Sequence, residues 1–520
     1  KGEDCLCRNV GAFAKSKDKD WKQDERFRMQ AGDSGTSAGI CNSKILPTFA
    51  VDKKHPKMKL PETFVTYTRA LLGDEGYAAF EAALLREPLT SLRLNPEKTV
   101  VDAVSSAVRL RPVPWASGGY YADERPTFTF DPLFHAGCYY VQEASSMFVE
   151  QVLRHYVDRP VVALDLCAAP GGKSTHVRSL LPEGSLLVSN EVMRSRIGVL
   201  AENLVKWGHP DVVVTHADPA EFTPLKATFD VILTDVPCSG EGMFRKDAVA
   251  VDEWSTDNVA LCWQRQRRIL TDIWPCLKPG GLIIYSTCTY NMYEDEDNVA
   301  WLRDTFGAEP LAVPVSPDWG ITGDLSGRGL PVYRFLPHHT AGEGFFLAVL
   351  RKPDGEEEQV SLRRKKERKG KTPAVPTGCR AWLREPDAWE WTCDCEQVAA
   401  LPRSWKELVD LLRQHLRVIS AGVRVGEVKG KDLVPSHALA MSTARADAFP
   451  TCELDYAQAI AYLRKEALQL PPDASRGYVL VTYRGIPLGF VKSLGSRANN
   501  LYPAEWRIRS TYLPDTAKCL

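Results

Sequence analysis

The chain of 520 residues is too long for a single hydrophobic core, so its length predicts about two to four domains. Hydrophobic residues make up 44% of the sequence and charged residues 25%, as in a globular protein, and a net charge of −1 neither requires nor excludes nucleic acid. No apolar run approaches the roughly 18 residues of a membrane span and no secretory signal is recognisable, so we expect a cytosolic protein without a membrane partner.

The amino-terminal part of the sequence divides into a polar leader and a patterned extension. Residues 1–57 are rich in Lys, Asp, Ser and Gly, so we expect a disordered leader or sequence upstream of the natural start. Residues 58–150 predict helices followed by short strands near LTSLRLNP and YYVQEASS, which is an α+β extension.

An α/β pattern follows and predicts a separate α/β domain over residues 151–352. The runs VVALDL, SLLVSNE, DVVVTHAD, FDVILTDV, GLIIYSTC and GFFLAVL are mostly apolar throughout, and helix-length segments separate them. This alternation is typical of a parallel sheet with helices on both faces, as in Rossmann-like folds. Such sheets bind ligands at the carboxyl ends of their strands, so the site is expected there.

The chain becomes polar after Arg351. Residues 353–375 contain LRRKKERKGKTP, which is either a solvated connector or a basic linker that contacts phosphates. Residues 376–520 have strands of their own, and GYVLVTYRGIPLGFVKSL predicts a hairpin turning at RGIP. The following GSRANNLYPAEWRIRS mixes Arg, Asn, Tyr and Trp, as RNA-contacting surfaces often do.

Fourteen cysteines scattered over this length favour free thiols over a disulfide framework. Two Cys-x-Cys pairs, Cys5 with Cys7 and Cys393 with Cys395, lack the two-residue gap of common zinc sites. The sequence therefore predicts no metal site.

The first strand of the α/β region leads into a glycine loop, LDLCAAPGGKSTH, that opens a helix. Gly171 and Gly172 permit a close backbone approach that a Cβ would block, and Pro170 stiffens the start of the loop. A phosphate-binding P-loop is the alternative, but its pattern needs glycine where this chain has Cys167. A P-loop nucleotide hydrolase is therefore disfavoured.

Acidic residues at the next two strand ends predict an adenosine cofactor without a phosphate chain. Glu191 can accept both ribose hydroxyls, and Asp218 can meet the adenine amino group. Either carboxylate alone would more simply be a helix cap or a surface charge, but together with the glycine loop they indicate S-adenosyl-L-methionine. The predicted cofactor-binding residues are Cys167, Ala168, Ala169, Pro170, Gly171, Gly172, Lys173, Glu191, Asp218 and Asp235.

Two further strand ends carry cysteines, Cys238 in DVPCSG and Cys288 in YSTCTYNMYEDE. With CAAPGGK, in this order, they resemble the motifs of the RNA cytosine-C5 methyltransferases of the Nop2/Sun family. GEGMFRKD and GIPLGFVK…RANNLYPAEWRIRS are similar to an extended bacterial form with a PUA-like RNA-binding region, here at about 465–515. The resemblance covers roughly residues 60–510 and is strongest over 163–299.

The chemistry of this family needs a thiolate, because C5 of cytosine is a poor nucleophile until sulfur adds to C6. The resemblance implies that Cys288 is the nucleophile and that Cys238 assists release of the methylated RNA. From the residues alone the Pro-Cys pair at Cys238 would be favoured, as in DNA cytosine-C5 methyltransferases. Asn291 and Glu294 resemble a capping box and predict a helix start beside Cys288 that would lower its thiol pKa.

Two more side chains complete the predicted catalytic set of Cys288, Cys238, Asp235 and Lys173. Asp235 is expected to hydrogen-bond the amino edge of cytosine, and Lys173 to help poise the thiol or the base, unless it is a solvated lysine. Arg245 and Lys246 are candidates either for substrate phosphates or for solvated surface. The target cytidine has to be flipped out of its helix, with RNA contacts from the extension, the linker and the carboxy-terminal region.

The resemblance thus implies an α/β fold: a Rossmann-like S-adenosylmethionine-dependent methyltransferase domain, an N-terminal α+β RNA-binding extension and a C-terminal PUA-like region. The expected function is methylation of cytosine C5 in RNA, with 16S rRNA of the small subunit as the expected substrate. A transfer RNA methyltransferase and a non-catalytic RNA-binding ribosome assembly factor are the alternatives. The sequence does not predict an oligomeric state.

Overall fold

The computed structural model describes residues 59–99, 108–355, 375–394, 396–495, 497–510 and 519–520. The predicted leader, Cys395 and the basic run of the predicted linker lie outside these ranges. Within the described part of the chain, no helix is both long enough and apolar enough to span a membrane.

The helices and strands are numbered in chain order. The α-helices are α1 Glu62–Leu84, α2 Pro132–His135, α3 Val149–Tyr156, α4 Gly172–Leu180, α5 Arg194–Trp207, α6 Ala248–Asp252, α7 Thr256–Ile273, α8 Glu296–Phe306, α9 Lys406–His415, α10 His437–Met441 and α11 Tyr456–Leu463. The strands are β1 Thr90–Leu94, β2 Leu110–Pro112, β3 Gly119–Ala122, β4 Tyr139–Tyr140, β5 Val162–Asp165, β6 Leu186–Asn190, β7 Val212–His216, β8 Phe229–Asp235, β9 Leu277–Thr287, β10 Glu309–Leu311, β11 Val332–Phe335, β12 Phe345–Arg351, β13 Trp389–Asp394, β14 Gln397–Pro402, β15 Arg417–Ala421, β16 Val423–Lys429, β17 Asp432–Pro435, β18 Thr451–Glu453, β19 Gly477–Tyr483, β20 Ile486–Ser493 and β21 Ala498–Asn500.

The central sheet has the strand order β10-β12-β9-β8-β5-β6-β7-β15, with β11 beside β12. Strands β5 to β9 are parallel to one another, as the apolar runs predict. Neighbouring residues of β5 point to opposite faces: Leu164 joins one hydrophobic core and Ala163 the other. The predicted α/β fold with helices on both faces of the sheet is confirmed.

Two strands of this sheet differ from the prediction. The run GFFLAVL forms β12, but β12 is antiparallel to both β9 and β11. Residues 336–344 between β11 and β12 are too few for the crossover of a dozen or more residues that parallel strands need. Strand β15, from the predicted carboxy-terminal region, adds antiparallel to β7, a pairing that the local sequence pattern did not indicate.

The amino-terminal extension contains α1 and an antiparallel sheet of order β2-β3-β1-β4. Helix α1 kinks at Gly73, whose φ of 74° lies outside the helical range. Phe64 and Phe80 of α1 pack in one core with Trp254 and Tyr290 of the catalytic region. The extension therefore reaches the segments that follow β8 and β9.

The carboxy-terminal region adds two sheets, of order β13-β14-β16-β17 and β18-β19-β20-β21. The hairpin of β19 and β20 turns at Arg484 and Gly485, with φ values of 50° and 74°, as predicted at RGIP. Val479 of this sheet shares a core with Leu92 and Tyr139 of the extension. Hydrophobic cores thus extend across the predicted domain boundaries. The boundaries themselves stay a prediction.

Candidate active site

The glycine loop, residues 167–172, connects β5 to α4 at the carboxyl edge of the parallel strands. Gly171 has a φ of +111°, which side chains other than glycine rarely adopt, and a Cβ there would lie 3.3 Å from Leu200 Cδ1. A Cβ at Gly172 would lie 3.2 Å from the ring of Tyr140. Gly171 is therefore required by the shape of the loop itself, and a Cβ at Gly172 would press on the Tyr140 ring.

The backbone of the remainder of the loop is hydrogen-bonded to neighbouring segments. The Ala168 amide donates to the Asn190 carbonyl at 2.8 Å, and Asn203 Nδ2 donates to the Pro170 carbonyl at 2.8 Å. Burial raises the pKa of the Cys167 thiol well above its ordinary value, so this cysteine stays neutral. The loop is thus a fixed surface, and Cys167 contributes packing and no charge.

Glu191 lies directly after β6 and is almost fully buried. Its Oε1 accepts a hydrogen bond from the Met193 amide at 2.7 Å, and Arg196 Nη1 lies 3.6 Å from its Oε2. Arg196 also donates to the Ala169 carbonyl, so one guanidinium joins the acid to the glycine loop. Sequence reasoning missed Arg196, because Arg194 in the same helical turn is equally exposed and nothing in the sequence distinguishes the two arginines.

Asp218 follows β7 and performs the capping role that was the simpler alternative for it. Its Oδ1 accepts from the Ala220 amide at 3.1 Å, and Glu221 completes a capping box of the 3-10 helix Pro219–Phe222. Arg268 Nη1 lies 3.3 Å from the same oxygen. The carboxylate is about one third exposed, and its contact with adenine stays a prediction.

Lys173 and Asp235 form an ion pair across the edge of the sheet. Lys173 Nζ donates to Asp235 Oδ2 at 2.8 Å, and Ser286 Oγ donates to Asp235 Oδ1 at 2.8 Å. Burial alone would lower the pKa of Lys173, but the Asp235 carboxylate raises it above its ordinary value. With only 16% of its side chain exposed, Lys173 is a paired cation and not the solvated lysine of the alternative interpretation.

The two cysteines of the predicted catalytic set lie together at the ends of β8 and β9. The sulfurs of Cys238 and Cys288 are 3.1 Å apart, and the Cys288 amide donates to Cys238 Sγ at 3.3 Å. Hydrogen bonding to Cys288, together with burial, raises the pKa of Cys238 well above its ordinary value. Cys238 is therefore a neutral thiol at physiological pH, in contact with the sulfur of Cys288.

The helix predicted to begin beside Cys288 begins later. Helix α8 starts at Glu296, and its N-cap residue is Asp295. Asn291 and Glu294 do interact, since Asn291 Oδ1 accepts from the Glu294 amide at 2.9 Å, but they close a turn that precedes the helix. The prediction that a helix begins beside Cys288 is therefore wrong.

Two buried carboxylates hold the segments around the cysteines. Glu294 Oε2 accepts from the Ser239 amide at 3.0 Å and from Gln266 Nε2 at 2.6 Å. Burial raises the pKa of Glu294 to about 7. Glu241, in the 3-10 helix Glu241–Met243, is fully buried as well. Sequence reasoning did not single out Glu241, although a carboxylate among small residues in SGEGMF was a usable signal.

Arg245 does not serve as a surface cation for phosphates. Its Nε donates to Glu343 Oε2 at 2.8 Å and its Nη2 to the Gly342 carbonyl at 2.8 Å, in a buried position. Lys246 Nζ lies 3.4 Å from Glu343 Oε1. Both alternatives for Arg245, a phosphate contact and solvated surface, are thus wrong, because its side chain is buried and holds the segment before β12 in place. The same two alternatives stay open for Lys246, whose side chain is 31% exposed.

The residues at this edge fit S-adenosyl-L-methionine. Asp165 is buried at the end of β5, and burial raises the pKa of its carboxyl group to about 7. Its Oδ1 has no hydrogen-bond partner among the described residues. Asp165, Glu191 and Asp235 are acceptors of the kind that a cationic, hydroxyl-bearing cofactor satisfies. The ammonium of Lys173 is already paired with Asp235, which disfavours a phosphate chain. No metal-binding group of three or more His, Cys, Asp or Glu occurs in the part of the chain that the structure describes.

Comparison with known proteins covers all three parts of the fold. Family models match at residues 60–144 (N-terminal domain of 16S rRNA methyltransferase RsmF), 157–351 (16S rRNA methyltransferase RsmB/F) and 449–508 (methyltransferase RsmF PUA domain). A solved methyltransferase homolog protein from Pyrococcus horikoshii is 27% identical, covers 57% of this chain and 96% of its own, and superposes with a TM-score of 0.50.

Two curated relatives extend this similarity over most of the chain. Ribosomal RNA small subunit methyltransferase F of Serratia proteamaculans is 32% identical over 474 residues, in an alignment that covers 86% of this chain and 96% of the relative. The protein of the same name from Aliivibrio fischeri strain MJ11 is 31% identical over 491 residues, in an alignment that covers 87% of this chain and 98% of the relative. The predicted resemblance and the predicted cofactor, S-adenosyl-L-methionine, are confirmed, and the chain belongs to the RsmF family of 16S rRNA methyltransferases.

Proposed function

We propose that this protein transfers the methyl group of S-adenosyl-L-methionine to C5 of a cytidine in small-subunit ribosomal RNA. The observation that carries the proposal is the 3.1 Å distance between the sulfurs of Cys238 and Cys288. Both are partly exposed at the carboxyl edge of the sheet, next to the ion pair of Lys173 and Asp235. Activation of a pyrimidine at C5 needs this combination of a nucleophilic sulfur and a nearby proton donor.

Cys288 is proposed as the nucleophile that adds to C6 of the cytosine. The neutral Cys238 thiol can donate a hydrogen bond to the Cys288 sulfur, and such a bond stabilises negative charge on that sulfur. Addition at C6 increases the electron density at C5. When bound, S-adenosyl-L-methionine supplies an electrophilic methyl group on its sulfonium for that carbon.

Cys238 is proposed to assist release of the methylated base. The C5–H bond breaks, its electron pair forms the C5=C6 double bond, and the C6–S bond breaks with its electrons on the Cys288 sulfur. Because the sulfurs are 3.1 Å apart, Cys238 can give its proton to the departing sulfur. The Cys238 thiolate that remains can accept the C5 proton, so both cysteines end as thiols.

Asp235 is proposed to select cytosine. A carboxylate has about four acceptor positions, and Lys173 and Ser286 occupy one each. The remaining positions can accept the exocyclic amino group of cytosine, which uracil lacks, so uracil would leave the acceptor unpaired. Lys173 keeps the carboxylate oriented.

The extension and the carboxy-terminal sheet are proposed to select the RNA. They share a hydrophobic core through residues such as Leu92 and Val479. A cytidine in a duplex has to be flipped into the site, at a cost of about a few kcal/mol that RNA contacts must offset. Small-subunit ribosomal RNA is proposed because the curated relatives carry that substrate in their names.

The test is bisulfite sequencing of RNA after reaction of the purified protein and S-adenosyl-L-methionine with 16S rRNA and, separately, with transfer RNA. The proposal predicts one protected cytidine in 16S rRNA. Protection confined to transfer RNA would favour a transfer RNA methyltransferase. No protection in either RNA, with RNA binding retained, would favour a non-catalytic assembly factor.

A further inference from the structure

The two segments that carry the cysteines are joined by Glu241. This carboxylate, three residues after Cys238, accepts hydrogen bonds from Thr289 Oγ1 at 2.6 Å, from the Tyr290 amide at 2.8 Å and from Asn291 Nδ2 at 3.1 Å. All three donors directly follow Cys288 in the chain. Glu241 therefore fixes the segment after β9 relative to the segment after β8.

A direct backbone contact reinforces this junction. The Gly242 amide donates to the Cys288 carbonyl at 2.8 Å. A Cβ at Gly242 would lie 2.9 Å from that carbonyl oxygen, so the approach requires glycine. The position of the Cys288 backbone thus depends on the placement of residues 241–242.

The same carboxylate is held from the amino-terminal extension. Tyr67 of α1 donates its hydroxyl to Glu241 Oε1, and Trp254 Nε1 donates to that oxygen at 3.0 Å. Burial, with the Glu241 charge, raises the pKa of Tyr67 well above its ordinary value, so the hydroxyl keeps its proton at physiological pH. The chain of contacts runs from α1 through Glu241 to the segment of Cys288.

The ring of Tyr67 makes packing contacts that do not involve its hydroxyl. The Tyr67 ring centroid lies 5.5 Å from that of Phe64 and 6.1 Å from that of Trp254. Phe80 of the same helix packs edge-on against Tyr290 at 4.9 Å. A phenylalanine at position 67 keeps this apolar contact and removes the hydrogen bond to Glu241.

We propose that Tyr67 is a positioning residue of the methyl-transfer centre, which acts through Glu241 to set the placement of Cys288. This inference rests on the proposed role of Cys288 as nucleophile. The amino-terminal extension then contributes to catalysis as well as to RNA binding, and an enzyme without the Tyr67 hydroxyl binds RNA normally but forms its covalent adduct slowly.

The test measures single-turnover adduct formation by the full chain, in the presence of S-adenosyl-L-methionine, on a 16S rRNA fragment with 5-fluorocytidine at the target. After methyl transfer, C5 carries fluorine in place of the proton that has to leave, so the C6–S bond cannot break by elimination and the adduct persists. Tyr67→Phe is compared with Tyr77→Phe, which removes a hydroxyl from the same helix that bonds Glu81 at 3.2 Å. Tyr67→Phe is expected to lower the rate constant about tenfold, the effect of one hydrogen bond, at unchanged amplitude. Tyr77→Phe is expected to react at the wild-type rate.

The rate constant and the amplitude of adduct formation distinguish an effect on positioning from an effect on folding. A rate constant for Tyr67→Phe equal to that of the wild type, or a loss confined to the amplitude, which counts folded molecules, would overturn the proposal. If Tyr67→Phe does not fold, Glu241→Gln is measured in its place, with the same expected loss of rate and the same contradicting result.

A second readout keeps this inference distinct from the proposed function. Alkylation of Cys288 by iodoacetamide, followed by peptide mass spectrometry as a function of pH, needs no RNA. The dependence of the Cys288 alkylation rate on pH is expected to be shifted in Tyr67→Phe relative to the wild type and to Tyr77→Phe. Absence of any wild-type adduct would refute the proposed function, and identical alkylation profiles would refute the positioning role.

Discussion

Lys173 and Asp235 are joined by a hydrogen bond of 2.8 Å that connects the first turn of α4 to the end of β8. The pair links the glycine loop, where the cofactor is expected, to the strand end that leads to Cys238. The glycine loop and the end of β8, which are far apart in the sequence, are therefore connected by one ion pair. The proposed selection of cytosine by Asp235 depends on this ion pair.

The Asp235→Asn variant is expected to lose methyl transfer by about a hundredfold, because a neutral amide cannot orient both Lys173 and the cytosine amino group. It also leaves the largely buried ammonium of Lys173 without its counter-charge, at a cost of about 1–3 kcal/mol in the free energy of unfolding. Turnover with 16S rRNA and urea unfolding measure the two effects. Asp304→Asn, at an exposed ion pair with Arg303, is the control and should change neither. Full activity of Asp235→Asn would contradict the role assigned to Asp235.

The Gly171→Ala variant is expected to weaken cofactor binding, because alanine is strained at a φ of +111° by about 1–2 kcal/mol and its Cβ presses on Leu200. Calorimetric titration with S-adenosyl-L-methionine should show the dissociation constant raised about tenfold or more. The matched control is Gly198→Ala in α5, where a Cβ meets nothing within 4 Å. That substitution should stabilise the helix slightly and leave cofactor binding unchanged. Equal affinity in the two variants would contradict the assignment of the glycine loop.

The buried Glu294 predicts a pH-dependent term in stability. Burial raises its pKa from 4.5 to about 7, so the folded state holds a proton that the unfolded chain releases. The stability that this proton confers is fully present below pH 4.5 and is lost as the pH rises towards 7. The free energy of unfolding of the wild type relative to Glu294→Gln should therefore fall over this interval, by on the order of 3 kcal/mol. Urea unfolding at a series of pH values measures this difference, and a difference that is constant with pH would contradict it.

Much of the central sheet was predictable because a buried parallel strand has an apolar run of its own. The runs that form β5 to β9 are such strands, and the glycine loop and both cysteines lie at their ends. The direction of β12 was not predictable, since an apolar run looks the same in either orientation. The addition of β15 to β7 was missed because backbone pairing between distant segments leaves no local pattern.

The site shows the same division between local and distant information. The contact of Cys238 with Cys288 followed from two motifs whose strands are neighbours. The hydrogen bond from Tyr67 to Glu241 joins residues that are 174 positions apart, and no periodicity connects them. The pair of Asn291 and Glu294 was a correct local contact placed in the wrong element, because a capping box and a closed turn have similar sequences.

A denaturing gel of Cys238→Ala and Cys288→Ala, after reaction with S-adenosyl-L-methionine and 16S rRNA, shows directly which cysteine bonds to the RNA. Cys238→Ala is expected to accumulate an RNA-protein adduct that survives denaturation, because the departing sulfur has lost its proton donor 3.1 Å away. Cys288→Ala should form neither adduct nor product. An adduct with Cys288→Ala and none with Cys238→Ala would contradict the assignment and reverse the two roles.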